Sequence, residues 1–158
     1  MPLFSNASSY TLPKRLYGAA ELLLGSLLLI AVGKGLPLLM ATPANWWVAF
    51  AFYTFISALV IIFWPHGALG WANRVTLVRA VVVSLVAGAL AANAFVGAIW
   101  QWLAIAVIAL LLDGVDGWIA RRTKSHTRFG ARFDMELDAL LILLLCAGLL
   151  RLESLGVW

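Results

Sequence analysis

Charge is what this sequence has least of: 11% of its 158 residues are Asp, Glu, Lys or Arg. With 64% hydrophobic residues and a mean hydropathy of +1.00, that scarcity excludes an ordinary soluble domain. Cysteine is almost absent too. Cys146 has no partner in the chain, so no internal disulfide can form; within its apolar run it reads as a small core residue. Internal repeats and low-complexity tracts are also lacking, and the length suits one domain. The net charge of +4 implies no nucleic-acid partner, because basic residues in such a chain first report topology and contact with lipid headgroups.

What is present is apolar length. Runs of about 20 apolar residues mark membrane spans, and the sequence offers five. The expected fold is therefore all-α, a polytopic membrane helix bundle with about five transmembrane helices. Residues 1–13 read as a polar tail. Lys14 and Arg15 precede a first span over 16–32, which resembles a signal peptide, but Glu21 and the later spans favour an uncleaved helix. Gly33, Gly35, Pro37 and Pro43 form a loop before a second span over 46–64, framed by Trp46, Trp47 and Trp64 as interfacial anchors. A third span over 75–92 opens with Asn73, Thr76 and Arg79 at three-residue spacing. That pattern reads as one helix face, or as a cap with snorkelling arginines. After a turn at 92–97, Trp100 and Trp102 begin a fourth span ending near Arg122, and a fifth covers 133–150.

Lys and Arg test this arrangement. Lys14, Arg15, Arg74, Arg79, Arg121, Arg122, Lys124, Arg128 and Arg132 fall on one side of five spans, leaving Lys34 and Arg151 on the other. The asymmetry places the amino terminus at the cytoplasmic face of an integral membrane protein, in the inner or plasma membrane if the source is prokaryotic.

The charges that remain are concentrated in one stretch, DGVDGWIARRTKSHTRFGARFDMELD, residues 113–138. Acidic groups at membrane depth are costly and mark function by default. Asp113, Asp116, Gly117, Ala120 and Arg121 share one helix face by spacing, and Gly130, Asp134 and Asp138 share another. Antiparallel spans joined by a short basic turn let the two stripes face each other at the cytoplasmic end. Converging carboxylates repel unless some protonate or divalent cations neutralise them. All-oxygen ligands favour Mg²⁺ or Mn²⁺, and the lack of His or Cys at the aligned positions disfavours zinc. Gly117, Ala120 and Gly130 leave room for a ligand near the backbone, or for tight helix packing. Arg121 suits a phosphate fork. Two metals acting on phosphorus explain acids on both stripes better than a hairpin held by Asp–Arg pairs. A divalent-cation carrier and a non-catalytic membrane scaffold are the alternatives from other classes.

The pattern D-x-x-D-G-x-x-A-R, eight residues, then G-x-x-x-D-x-x-x-D resembles the signature of the class I CDP-alcohol phosphatidyltransferases, and every specified position is met, from Asp113 to Asp138. The segment from Asn73 to Arg79 resembles the start of that family's first helix. The resemblance covers about 73–150. It implies a membrane enzyme of phospholipid biosynthesis that moves a phosphatidyl or related phosphoalcohol group from a CDP-linked donor, such as CDP-diacylglycerol, to a small alcohol or lipid acceptor, releasing CMP. It further implies two divalent metals on Asp113, Asp116, Asp134 and Asp138, with Asp138 also the general base. Asn73, Thr76, Gly117, Ala120, Arg121 and Gly130 would serve the CDP donor, with Arg79 and Arg132 as weaker candidates. A homodimer among membrane lipids is implied as well. The family core normally has six transmembrane helices. Here 73–158 supplies part of it, after two additional helices in 14–72, so a C-terminally truncated member is expected.

Overall fold

The structure, a computed structural model, describes residues 11–63, 71–123, 128–154 and 156; its side chains are described for 19–59, 74–75, 77–115, 118, 122, 132, 134–154 and 156. The described residues form helices joined by turns, with no strand among them. They form α1 (Thr11–Lys34), α2 (Pro43–Phe63), α3 (Trp71–Leu90), a 3₁₀ turn (Ala91–Asn93), the short α4 (Ala94–Gly97), α5 (Ile99–Thr123) and α6 (Arg128–Ser154). Each long helix overlaps one apolar run expected from the sequence. α1 is described from Thr11, inside the expected tail. Leu77–Gly97 is the one described run both long and apolar enough to cross a membrane, and Ile99–Val115 is apolar over a shorter length.

α3 is the axis of the bundle. It packs against α1, α2, α5 and α6, whereas α5 and α6 touch each other much less. Every residue from Arg79 to Leu90 is buried, so the helix is enclosed on all sides. Close approach depends on the small residues Ala80, Ser84 and Gly88, spaced four apart. A Cβ on Gly88 would stand 2.7 Å from the Asn45 carbonyl oxygen and 2.9 Å from Ala49 Cβ. Only glycine fits there. The buried Ser84 hydroxyl donates to the Ala80 carbonyl (2.7 Å) and so is not left unpaired.

Asn45 locks α2 onto the end of α3. Its Oδ1 accepts from the Thr42 N–H (3.0 Å) and hydroxyl (2.6 Å), the reciprocal half of a capping box at the start of α2. Its Nδ2 donates to the carbonyls of Gly88 (2.8 Å) and Ala91 (2.6 Å). α3 then stops abruptly: Ala92 and Asn93 both have positive φ, 51° and 56°. Non-glycine residues in this region cost of order 1–3 kcal/mol each. Arg151, from the far end of α6, helps hold the turn by donating to the Leu90 carbonyl (2.8 Å) and Asn93 Oδ1 (2.9 Å).

Trp102 joins three helices. On α5, its indole N–H donates to the Val86 carbonyl of α3 (3.2 Å), and its ring fills the space left by Gly148 on α6. Tyr53 of α2 does the same for α1, donating to the Leu22 carbonyl (2.7 Å) over Gly25. Cys146 departs from expectation. It is exposed, because α6 turns Leu141, Leu144 and Gly148 into the bundle and the intervening face outward.

Candidate metal centre

The stripes that build the core also carry the acids. On α5, Trp102, Ala106 and Ala109 are buried, and the same three- and four-residue steps lead to Asp113. On α6, Leu144, Leu141 and Leu137 are buried, and the same steps lead back to Asp138 and Asp134. Both stripes face α3, whose contact face runs from Leu90 through Val86 and Val83 to Arg79. The apolar packing that fixes three helices therefore also delivers three carboxylates and one guanidinium to one point.

Arg79 is entirely buried, and its guanidinium reaches both other helices. Nη1 donates to Asp113 Oδ1 at 2.5 Å and lies 3.5 Å from Asp138 Oδ1. Nη2 donates to Asp134 Oδ1 and to the Asp134 main-chain carbonyl (3.2 Å). The planar fork of arginine suits this divided task. The acids are about one-third exposed, at 37%, 32% and 36% for Asp113, Asp134 and Asp138, so the cluster opens on one side.

The donor set fits a hard divalent cation. Asp113, Asp134 and Asp138 each offer an oxygen within 4.8 Å of the others, with no nitrogen or sulfur ligand among them. Oδ1 of Asp138 is buried and accepts no hydrogen bond from the described residues. Three carboxylates set against one guanidinium leave an excess of negative charge that a metal ion would offset.

Three of the four expected metal ligands thus come together. The side chains of Asp116, Gly117, Ala120, Arg121, Gly130, Asn73 and Thr76 lie outside those described; their backbones place them on α5, α6 and α3. Arg132 is exposed on α6. Arg79, expected as a weaker candidate for the donor, has its guanidinium among the acids. Among the described residues, Asp–Arg pairing joins α3 to α5 and α6. The sign missed in the sequence was Arg79 continuing the Leu90–Val86–Val83 stripe of its own helix. Arg74, five residues earlier on a different face, pairs with Glu21 of α1 (2.6 Å).

The sequence model of the CDP-alcohol phosphatidyltransferase family matches residues 69–158, more than half of the chain. No curated protein and no solved structure matches the chain. The match takes in α3, α5 and α6 and with them all three acids and Arg79, whereas α1 and α2 precede it. The chain belongs to the CDP-alcohol phosphatidyltransferase family, a family of membrane-associated transferases.

Proposed function

We propose that this chain is an integral membrane enzyme that transfers a phosphatidyl or related phosphoalcohol group from a CDP-linked donor, such as CDP-diacylglycerol, to an alcohol, with CMP leaving. The observation that carries the proposal is the convergence of Asp113, Asp134 and Asp138 within 4.8 Å on helices the family match covers. Asp113, Asp116, Asp134 and Asp138 would hold Mg²⁺ or Mn²⁺, which supplies charge neutralisation for the donor pyrophosphate and the departing CMP. Asn73, Thr76, Gly117, Ala120, Arg121 and Gly130 bind the donor. Asp138 takes the proton of the acceptor hydroxyl as its oxygen forms the new bond to phosphorus and the phosphorus–oxygen bond to CMP breaks.

What supports a bundle of five spans is the outer surface. Leu24, Phe55, Val78, Leu111, Leu143 and Leu150 stand exposed, covering every long helix. Such surface is rare on soluble monomers and suits lipid. The bias of Lys and Arg puts the amino terminus and the acids at the cytoplasmic side. α1 and α2 are additions to the part of the family core formed by 73–158.

The test is a proteoliposome assay containing CDP-diacylglycerol, Mg²⁺ or Mn²⁺ and, in turn, glycerol phosphate, inositol, inositol phosphate, serine, choline and phosphatidylglycerol. The expected result is equimolar CMP and one new phospholipid with one of these acceptors, abolished by EDTA. Uptake of Mn²⁺ into the vesicles without CMP from any acceptor would overturn the proposal in favour of a cation carrier.

A further inference from the structure

The metal-centre reading treats the carboxylates as ligands and says nothing of the cation already among them. Arg79 is wholly buried, and its charge is met by carboxylates of more than one helix. Its two terminal nitrogens are divided among acids from two helices, and one also holds the main chain of Asp134. α5 and α6 have little direct contact with each other, while both pack on α3. Arg79 thus links the acid of α5 to the acids of α6.

We infer that Arg79 is a positioning residue, a built-in counter-cation that holds Asp113, Asp134 and Asp138 together and competes with a divalent metal for the same oxygens. This rests on the proposed metal centre. The two guanidinium nitrogens engage Oδ1 of all three acids, so an incoming ion meets ligands that are gathered but partly neutralised. Gathering favours the metal, and a neighbouring positive charge opposes it. At such short range in a partly buried site the charge dominates, because removing a cation from beside an anion changes its affinity for other cations more than modest splaying does. A bare ion therefore binds weakly. One that arrives with further anionic oxygens, as on a nucleoside diphosphate, binds better. The same charge has a structural consequence. Without it the acids repel, and the packing of α5 and α6 on α3 comes to depend on a bound metal, which stabilises the folded state by mass action.

The experiment compares wild type with Arg79→Gln and Arg79→Lys as full-length protein in detergent. Mn²⁺ affinity is followed by the free-ion paramagnetic resonance signal, and thermal unfolding is followed with EDTA and with Mn²⁺. Arg79→Gln is expected to bind Mn²⁺ roughly tenfold or more tightly than wild type, to melt lower in EDTA and to recover with Mn²⁺. Arg79→Lys, which keeps the charge and stays readable if Arg79→Gln does not fold, should remain within about threefold of wild type. In a purely structural role, Arg79→Gln would lose stability without gaining affinity. Equal or weaker binding by Arg79→Gln, or tenfold tighter binding by Arg79→Lys, overturns the inference and leaves the metal centre standing. No Mn²⁺ binding by any of the proteins overturns the metal centre itself.

Discussion

Arg79 Nη1 on α3 and Asp113 Oδ1 on α5 stand 2.5 Å apart, with the arginine entirely withdrawn from solvent and the aspartate about one-third exposed. An arginine is expensive to bury unless its charge is met. The fold meets it with three acids, more than its charge requires. The surplus is the charge that a further cation would offset. Structure and chemistry at this point therefore depend on the same residues.

Asp113→Asn tests that dependence. Asp134 and Asp138 still face Arg79, so the cost to stability is expected to be about 1–3 kcal/mol, the range for one hydrogen bond to a charged group. Mn²⁺ affinity should fall at least about tenfold, because a hard ion loses an anionic ligand. Thermal unfolding and Mn²⁺ titration of the same preparation give both numbers.

Trp102→Ala is expected to be among the most damaging core changes, costing about 3–5 kcal/mol. It empties the space above Gly148 and removes the indole N–H from the Val86 carbonyl, loosening α3, α5 and α6 together. Trp102→Phe, which keeps most of the ring volume and loses the N–H, should cost about 1 kcal/mol. Denaturant titrations in detergent distinguish the two.

Asn45→Leu keeps similar bulk but abandons the carbonyls of Gly88 and Ala91 and the N–H of Thr42. A loss of about 1–3 kcal/mol is expected from these lost hydrogen bonds, although the Ala91 carbonyl still accepts from the Ala94 N–H; the same titrations read it. Mn²⁺ affinity should be unchanged, since Asn45 sits beside Gly88 and Ala91, at the other end of the buried run of α3 from Arg79.

The sequence made the helices and most of this chemistry legible because each rests on a local period. Apolar runs located the long helices to within a few residues, and four-residue spacing placed Asp134 and Asp138 on one face. Arg79 was harder. Its charge fitted a topological role, and nothing local says that α3, not the hairpin partner, stands opposite both acidic stripes. Asn45 was equally silent, because its four hydrogen bonds include two to residues more than forty positions away. Cys146 shows the converse: an apolar neighbourhood in sequence does not imply burial, because helix periodicity turns this position outward.

Glu21 and Arg74 tie α1 to the beginning of α3, and Arg74 is nearly half exposed. Such pairs contribute about 0.2–1 kcal/mol. Glu21→Gln is expected to change unfolding by no more than that, with Mn²⁺ binding intact. A larger loss would mean that α1 contributes to the centre and is not merely an appendage to it.

The most direct test of the account is CMP release from CDP-diacylglycerol by wild type and Asp138→Asn, titrated with Mn²⁺ in the same proteoliposomes and supplied with the panel of alcohols. Loss of a general base costs about 10²–10⁴ in rate. The account expects wild-type release that rises with Mn²⁺ and vanishes in EDTA, and release by Asp138→Asn lower by at least about 100-fold. Release that ignores EDTA, or that Asp138→Asn supports at the wild-type rate, would contradict it.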